Sequence, residues 1–171
     1  MKTYYISLNQ RPKIYLQGIL FFVLLVGGMP AYAQWERVHG GVTPSYALPA
    51  GNENDGSPLY IARIRHEGGI HIGKVRANAR EAFIPYGGKE IIADNFEIYT
   101  GKGRWVTVSG GNFPANAIVG GYENDNSPLY IVRASIGGGL HIGKARANAR
   151  EAFIPYGGTE EIVSNFQVLT R

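Results

Sequence analysis

The 171-residue chain contains no cysteine. That excludes a disulfide framework, a thiolate metal site, a cysteine nucleophile and a lipid-modified N-terminal cysteine. Long apolar runs are missing as well. The cleanest one, Ile19 to Val26, falls far short of the ~20 residues that a spanning helix needs. Histidine is scarce: of four, only His71 and His141 recur at equivalent positions, too few for a zinc triad within one unit. Excess charge nearly vanishes too. Three of the 17 Lys and Arg (Lys2, Arg11 and Lys13) fall in the first 33 residues, which hold no acid, so the rest of the chain sets 14 basic against 13 acidic residues. A net of +1 argues against a nucleic-acid partner.

Those first 33 residues have the three-part form of a secretory signal. A positive start leads to an apolar stretch from Ile14 to Val26, which Gly27, Gly28 and Pro30 interrupt, and Ala31-Tyr32-Ala33 supplies the small residues a signal peptidase reads. Residues 1–33 are therefore expected to be cleaved, and residues 34–171 to be secreted or periplasmic, with no membrane span. Those 138 residues are enough for one domain with its own core.

The dominant feature of the remainder is duplication. Trp35 and Trp105 open two equal units, 35–101 and 105–171, with 40 of 67 aligned pairs identical and no gap. From His71 to Gly88, eighteen residues return as His141 to Gly158 with one change, Val75 to Ala145. Cores accept many apolar swaps of similar volume, so packing is a weak reason for keeping Lys, two Arg, Asn and Glu in that block. Three residues between the units leave no room for a linker, which predicts one pseudo-symmetric, intertwined domain rather than a solenoid.

The class is all-β, with antiparallel repeats. Leu59–Ile64 and Leu129–Ala134 are β-branched and aromatic runs bounded by Pro and Gly, as strands are. Gly68-Gly69 and Gly137-Gly138-Gly139 supply turns, followed by second strands from Ile70 and Leu140. Phe83–Tyr86 and Asn95–Tyr99 are further strand candidates, the first weakened by Pro85. Ala77–Ala82 alone leans toward helix, and is too short to stand by itself.

Four sets of residues could carry chemistry. The loop Glu53-Asn-Asp-Gly-Ser57, repeated as Glu123-Asn-Asp-Asn-Ser127, crowds oxygen ligands as a calcium loop does. It reads better as a turn in which the Asn and Asp side chains satisfy backbone donors, and such side chains also suit sugar hydroxyls. Gly73-Lys74 and Gly143-Lys144 lack the rest of a phosphate loop; taken alone, each lysine reads as a solvated strand end. His71 and His141 read as packing or capping residues. Glu81 and Glu151, with Glu53 and Glu123, leave a glycosidase pair formally open. Yet each group occurs twice in near-identical surroundings, whereas an acid and a base need different ones. The expectation is a binding module, not an enzyme.

The landmarks, taken in order, are Trp35/Trp105, Pro44/Pro114, Ala47/Ala117, the Gly-x-Glu-x-Asp loop, Leu-Tyr-Ile-x-Arg, Gly-Lys, Ile-Pro-Tyr-Gly-Gly-x-Glu and a closing Asn-Phe strand. This series resembles the DM-nine repeat family, tandem β-repeats also found joined to pore-forming modules of the natterin type, and covers 35–171 in two copies. The resemblance implies a lectin that recognises mannose-type glycans without metal or other cofactor. It carries the sugar contacts onto Glu53 and Lys74 in the first unit and Glu123 and Lys144 in the second. Asp55, Asp125 and Tyr122 are expected to support them. With Tyr122 standing where the first unit has Asn52, the second site is expected to be the stronger, an aromatic ring packing on the sugar. The alternative is a structural or adhesive envelope module that binds protein, and the assembly state, monomer or homodimer, stays open.

Overall fold

The computed structural model describes residues 34–38 and 40–171, so the expected signal segment 1–33 lies outside the described residues. The first repeat forms β1 (Trp35–Arg37), β2 (Pro49–Asn52), β3 (Pro58–His66), β4 (Gly69–Arg76), β5 (Ala82–Tyr86), β6 (Lys89–Ala93) and β7 (Glu97–Tyr99). The second forms β8 (Arg104–Val108), β9 (Val119–Tyr122), β10 (Pro128–Ile136), β11 (Gly139–Arg146), β12 (Ala152–Tyr156), β13 (Thr159–Val163) and β14 (Phe166–Thr170). Among the described residues there is no helix, and all fourteen strands join one barrel-like antiparallel sheet.

Within each repeat, the long hairpins β3–β4 and β10–β11 are the frame. Their turns, Glu67-Gly68 and Gly137-Gly138, place both central residues at positive φ, the backbone that matches the twist of flanking strands. The repeats then exchange strands. β2 pairs with β11 at Asn52–Leu140, and β9 pairs with β4 at Ile70–Tyr122. The sequence β3–β2–β11–β10–β9–β4 thereby closes on itself, so the two repeats build one ring rather than two adjacent sheets.

That ring explains why β3 and β10 are apolar on both faces. Leu59 and Ile61, one face of β3, enter a cluster with Ile72, Leu129, Ile131 and Ile142, drawn from both repeats. Ala62 and Ile64, the other face, enter a cluster confined to the first repeat with Val75, Ile84 and Phe96. Val132 and Ala134 do the same in the second. Strands covered on both sides read as continuous hydrophobic runs.

Ala77–Ala82 is not helical. It turns at Asn78, whose φ is 55°, and Thr43 holds the turn by accepting from the Asn78 amide at 2.9 Å and donating its own to Asn78 Oδ1 at 3.2 Å. Six residues cannot meet helix nucleation when such a local bond competes. Pro85, in contrast, lies inside a strand, opposite Glu90. The Glu90 amide donates away from β5, to Gly158 O at 3.1 Å, so the missing proline N–H does not face β6 either. On its other side β5 pairs with β4 only at Ala82 and Phe83, so nothing there asks Pro85 for a donor.

Close backbone approach decides two glycines at the strand exchange. A Cβ on Gly51 would run into the carbonyl oxygen of Leu140, and one on Gly121 into that of Ile70. Both obstacles are backbone. Gly51→Ala or Gly121→Ala should therefore cost about 3 kcal/mol or more, lowering Tm by roughly 10 °C in a circular dichroism melt. An unchanged Tm would mean that the exchanged strands do not pack this closely.

Candidate functional site

Each Gly-Lys step is built by strand packing. Lys74 and Phe83 are direct partners across β4–β5, as Lys144 and Phe153 are across β11–β12. A Cβ at Gly73 would strike Phe83 O, and one at Gly143 would strike Phe153 O. The glycine thus lets the neighbouring strand approach, and the lysine after it is drawn inward. Lys74 and Lys144 are 5% and 4% exposed, which corrects their reading as solvated strand ends.

Each buried lysine reaches into the opposite repeat. Lys74 Nζ lies 3.1 Å from His141 Nδ1, and Lys144 Nζ lies 3.0 Å from His71 Nδ1. An ammonium has only donors, so Nδ1 accepts and the ring proton sits on Nε2. Among the described residues neither Nε2 has a hydrogen-bond partner. Gly69 and Gly139 make room for the imidazoles, since a Cβ at either would come within 2.7 Å of Nε2. Each histidine also meets a tyrosine edge to face: His71 with Tyr86 and His141 with Tyr156, at 4.8 and 4.9 Å. Those tyrosines place their rings near the lysines, Tyr156 at 5.4 Å from Lys74 Nζ and Tyr86 at 5.2 Å from Lys144 Nζ, within cation–π range.

Around each lysine opens a cleft. One, of about 340 Å³, is lined by Glu53, Lys74, Arg76, Phe83, Glu90 and the opposite repeat's Tyr156-Gly157. The other, of about 460 Å³, is lined by Glu123, Asn124, Lys144, Arg146, Phe153, Glu160 and the opposite repeat's Tyr86-Gly87. Both volumes suit a small ligand. The acid and lysine proposed from sequence share a cleft in both copies, without bonding to each other. Arg76 Nε holds Glu53 at 2.8 Å, and Arg146 holds Glu123 at 3.2 Å. Glu90 lies 3.7 Å from Lys74 and accepts from the Gly158 amide at 2.9 Å, while Glu160 accepts from the Gly88 amide at 2.7 Å. The second repeat's acid thus pins the hairpin tip that walls its own cleft, and likewise in the first.

The supporting residues fall elsewhere. Asp55 and Asp125 accept from the amides of Ser57 and Ser127 at 2.8 and 2.9 Å, closing exposed turns outside both clefts; the Ser57 amide and then its hydroxyl hold Asp55 below its usual pKa, and the Ser127 hydroxyl and then its amide do the same for Asp125. Tyr122 is 45% exposed and lines neither cleft. The aromatic wall comes instead from Phe153 and Tyr86, matched in the first cleft by Phe83 and Tyr156, so the expected advantage of the second site loses its basis. Glu81 and Glu151 are exposed and outside both clefts. Tyr86, Tyr156, Glu90 and Glu160 were not singled out from the sequence, although Ile-Pro-Tyr-Gly-Gly-x-Glu contains all four. Among the described residues no three His, Asp or Glu side chains are grouped to hold a metal ion.

Burial, and then the neighbouring Lys144 charge, push His71 down to about 4; His141 moves the same way through burial and Lys74. Desolvation also lowers both lysines, against the pull of Glu90 on Lys74 and of Glu123 on Lys144. For His71 the unfolded chain takes up a proton near pH 6.5 that the folded chain refuses until about pH 4. Stability is therefore full above pH 6.5 and falls as pH drops through that window. At ~1.4 kcal/mol per unit, His71 accounts for about 3 kcal/mol of the loss. Melts from pH 7.5 to 4.5 should show it. His71→Gln, which keeps an acceptor without titrating, should flatten the slope, and equal slopes would refute the assignment.

A DM9 repeat family model matches residues 13–93 and again 74–163. No curated protein matches the chain in sequence. Among solved structures the fold is similar to that of the nematode sperm cell motility protein MFP2B, with a TM-score of 0.57 at 17% identity over 79% of this chain. The match spans 45% of that protein's length, and at this identity it speaks to fold alone. The two family matches together run from residue 13 to residue 163, most of the chain, and take in the residues that line both clefts: the protein belongs to the DM9 repeat family.

Proposed function

We propose that this protein is a metal-independent lectin, exported to the periplasm or the medium, that binds mannose-type glycans in its two clefts and catalyses no reaction. The observation that carries this reading is the recurrence, in both repeats, of a carboxylate and a buried ammonium in one cleft with a tyrosine wall. The carboxylate can accept from two neighbouring hydroxyls, held in place by its arginine. The ammonium, with donors left beyond its histidine, can give to sugar oxygens. Charge-assisted hydrogen bonds of this kind contribute roughly 1.5–3 kcal/mol each. Tyrosine and phenylalanine offer apolar faces to the C–H side of a pyranose.

A single sugar in so open a site binds weakly, because few contacts must offset desolvation and ordering. Two sites meeting one multivalent glycan would raise apparent affinity by ~10²–10⁴ where geometry allows. The test is a glycan array on residues 34–171, followed by calorimetric titration with the selected monosaccharide, with and without EDTA. The expected result is two equivalent sites per chain and no effect of chelator. An array without glycan signal, or affinity that calcium restores after EDTA, would overturn the reading.

A further inference from the structure

A second pair of clefts lies over β1–β7–β3 and over its counterpart β8–β14–β10, and here the repeats differ. In the first repeat Glu97 is opposite Arg37 on one side and Arg63 on the other. Directly opposed residues of neighbouring strands point to one face, and Arg65, two residues along β3, shares it. Arg63 is fixed: its Nε bonds Glu97 at 2.6 Å and its guanidinium lies 4.2 Å from the centre of the Trp35 ring. Arg37 and Arg65 are exposed, and among the described residues neither has a hydrogen-bond or ion-pair partner. The three arginines, with Asn95, Phe96 and Glu97, line a cleft of about 140 Å³. The one carboxylate that lines it is already taken by Arg63, so Arg37 and Arg65 line it with no ion-pair partner among the described residues.

The second repeat keeps the anchor and drops the charges. Arg133 lies 4.3 Å from the Trp105 ring and bonds Gln167 at 2.8 Å and Ala50 O at 2.9 Å. Where the first repeat has Arg37, Arg65 and Glu97, it has Thr107, Ser135 and Gln167, in a cleft of about 400 Å³. The same scaffold therefore exists in this molecule with and without the two free arginines.

We propose that the Arg37–Arg63–Arg65 cleft is an anion site that takes one tetrahedral oxyanion, a sulfate or phosphate monoester. Guanidinium forks match such groups with paired donors. A cleft of this size fits a headgroup rather than a whole sugar ring. It adjoins, through Arg37 and Asn95, a second hollow of about 340 Å³ that also holds Asp94. That acid turns the anionic group toward Arg65 and leaves the hollow for the body that carries the ester. No residue of the Lys74 and Lys144 clefts takes part, so this site stands whether or not those clefts bind sugar.

The test uses residues 34–171 at low ionic strength, titrated with inorganic phosphate, inorganic sulfate and a sulfated oligosaccharide. One site per chain is expected, weakening as salt is added. The variant R37T/R65S carries the second repeat's own residues, so its Tm should hold while affinity falls at least tenfold. The reciprocal T107R/S135R/Q167E should add a second site, which keeps the proposal testable even were R37T/R65S to unfold. Binding of the oligosaccharide alone would identify an ester on a larger body as the ligand; equal binding of phosphate and sulfate would identify the bare oxyanion. Absence of binding by all three, or unchanged affinity in folded R37T/R65S, would overturn the proposal.

Discussion

Neither repeat is expected to fold when produced alone. Cutting between 101 and 105 removes β9 from β4 and β11 from β2, which opens the closed ring and leaves unpaired strand edges. It also splits the central cluster, because Leu59, Ile61 and Ile72 lose Leu129, Ile131 and Ile142. Each of these six side chains is essentially inaccessible in the intact protein, and exposing a side chain of this kind costs roughly 1.5–3 kcal/mol. A half would lose several of them against a total stability of only about 5–15 kcal/mol. The measurement is circular dichroism and denaturant titration of 34–102 and 103–171 made separately, then mixed. The separate halves should show no cooperative transition, and mixing should restore one. Two soluble halves that each unfold cooperatively would refute the shared core.

The double substitution Lys74→Met/Lys144→Met should abolish sugar binding while leaving the fold intact. Methionine keeps the apolar stem that fills the space between strands but supplies no donor. What disappears is the group that faces the cleft, bonded on its inner side to His141 or His71. Removing a buried charge relieves its desolvation cost, which offsets part of what is lost when Nδ1 of His141 and His71 gives up its donor, so Tm should fall by several degrees without unfolding the protein. Losing a charge-assisted bond worth roughly 1.5–3 kcal/mol weakens each site by about 10- to 150-fold, below detection for an already weak monosaccharide. Each single variant should retain one binding event per chain in calorimetry, because the clefts do not share a lysine. Native affinity in the folded double variant would remove both lysines from the site. In that case the anion site over β1–β7–β3 would still be open to its own test.

The two experiments probe one property of the molecule, that each site is made by both repeats. Lys74, Arg76 and Phe83 line their own repeat's cleft, whereas Tyr86 and Gly87 line the other's and His71 holds the other's lysine. All six belong to the block His71–Gly88 that recurs almost unchanged. One eighteen-residue segment thus furnishes parts of two clefts, and a substitution in it would alter both a near wall and a far one.

Composition and pattern determined the all-β class, the two units and their intertwining, because alternating apolar runs, turn glycines and a missing linker are local properties of the chain. They also reached Glu53, Lys74, Glu123 and Lys144 through the family resemblance. They could not show that each lysine is buried, since exposure depends on how closely β5 approaches Gly73, nor that a tyrosine from the other repeat forms the wall. Tyr122 looked like the aromatic partner because it adjoins Glu123 in sequence, but β9 ends at Tyr122 and its ring stands exposed outside the cleft that Glu123 lines. Pro85 weakened Phe83–Tyr86 as a strand candidate because its lost donor is a local fact, whereas the strand stands because the register with Glu90 turns that missing donor away from β6. Local chemistry is written residue by residue, but which side chains meet across 67 or 73 positions, as Lys74 meets His141 and Lys144 meets His71, is set only when the strands exchange and the ring closes.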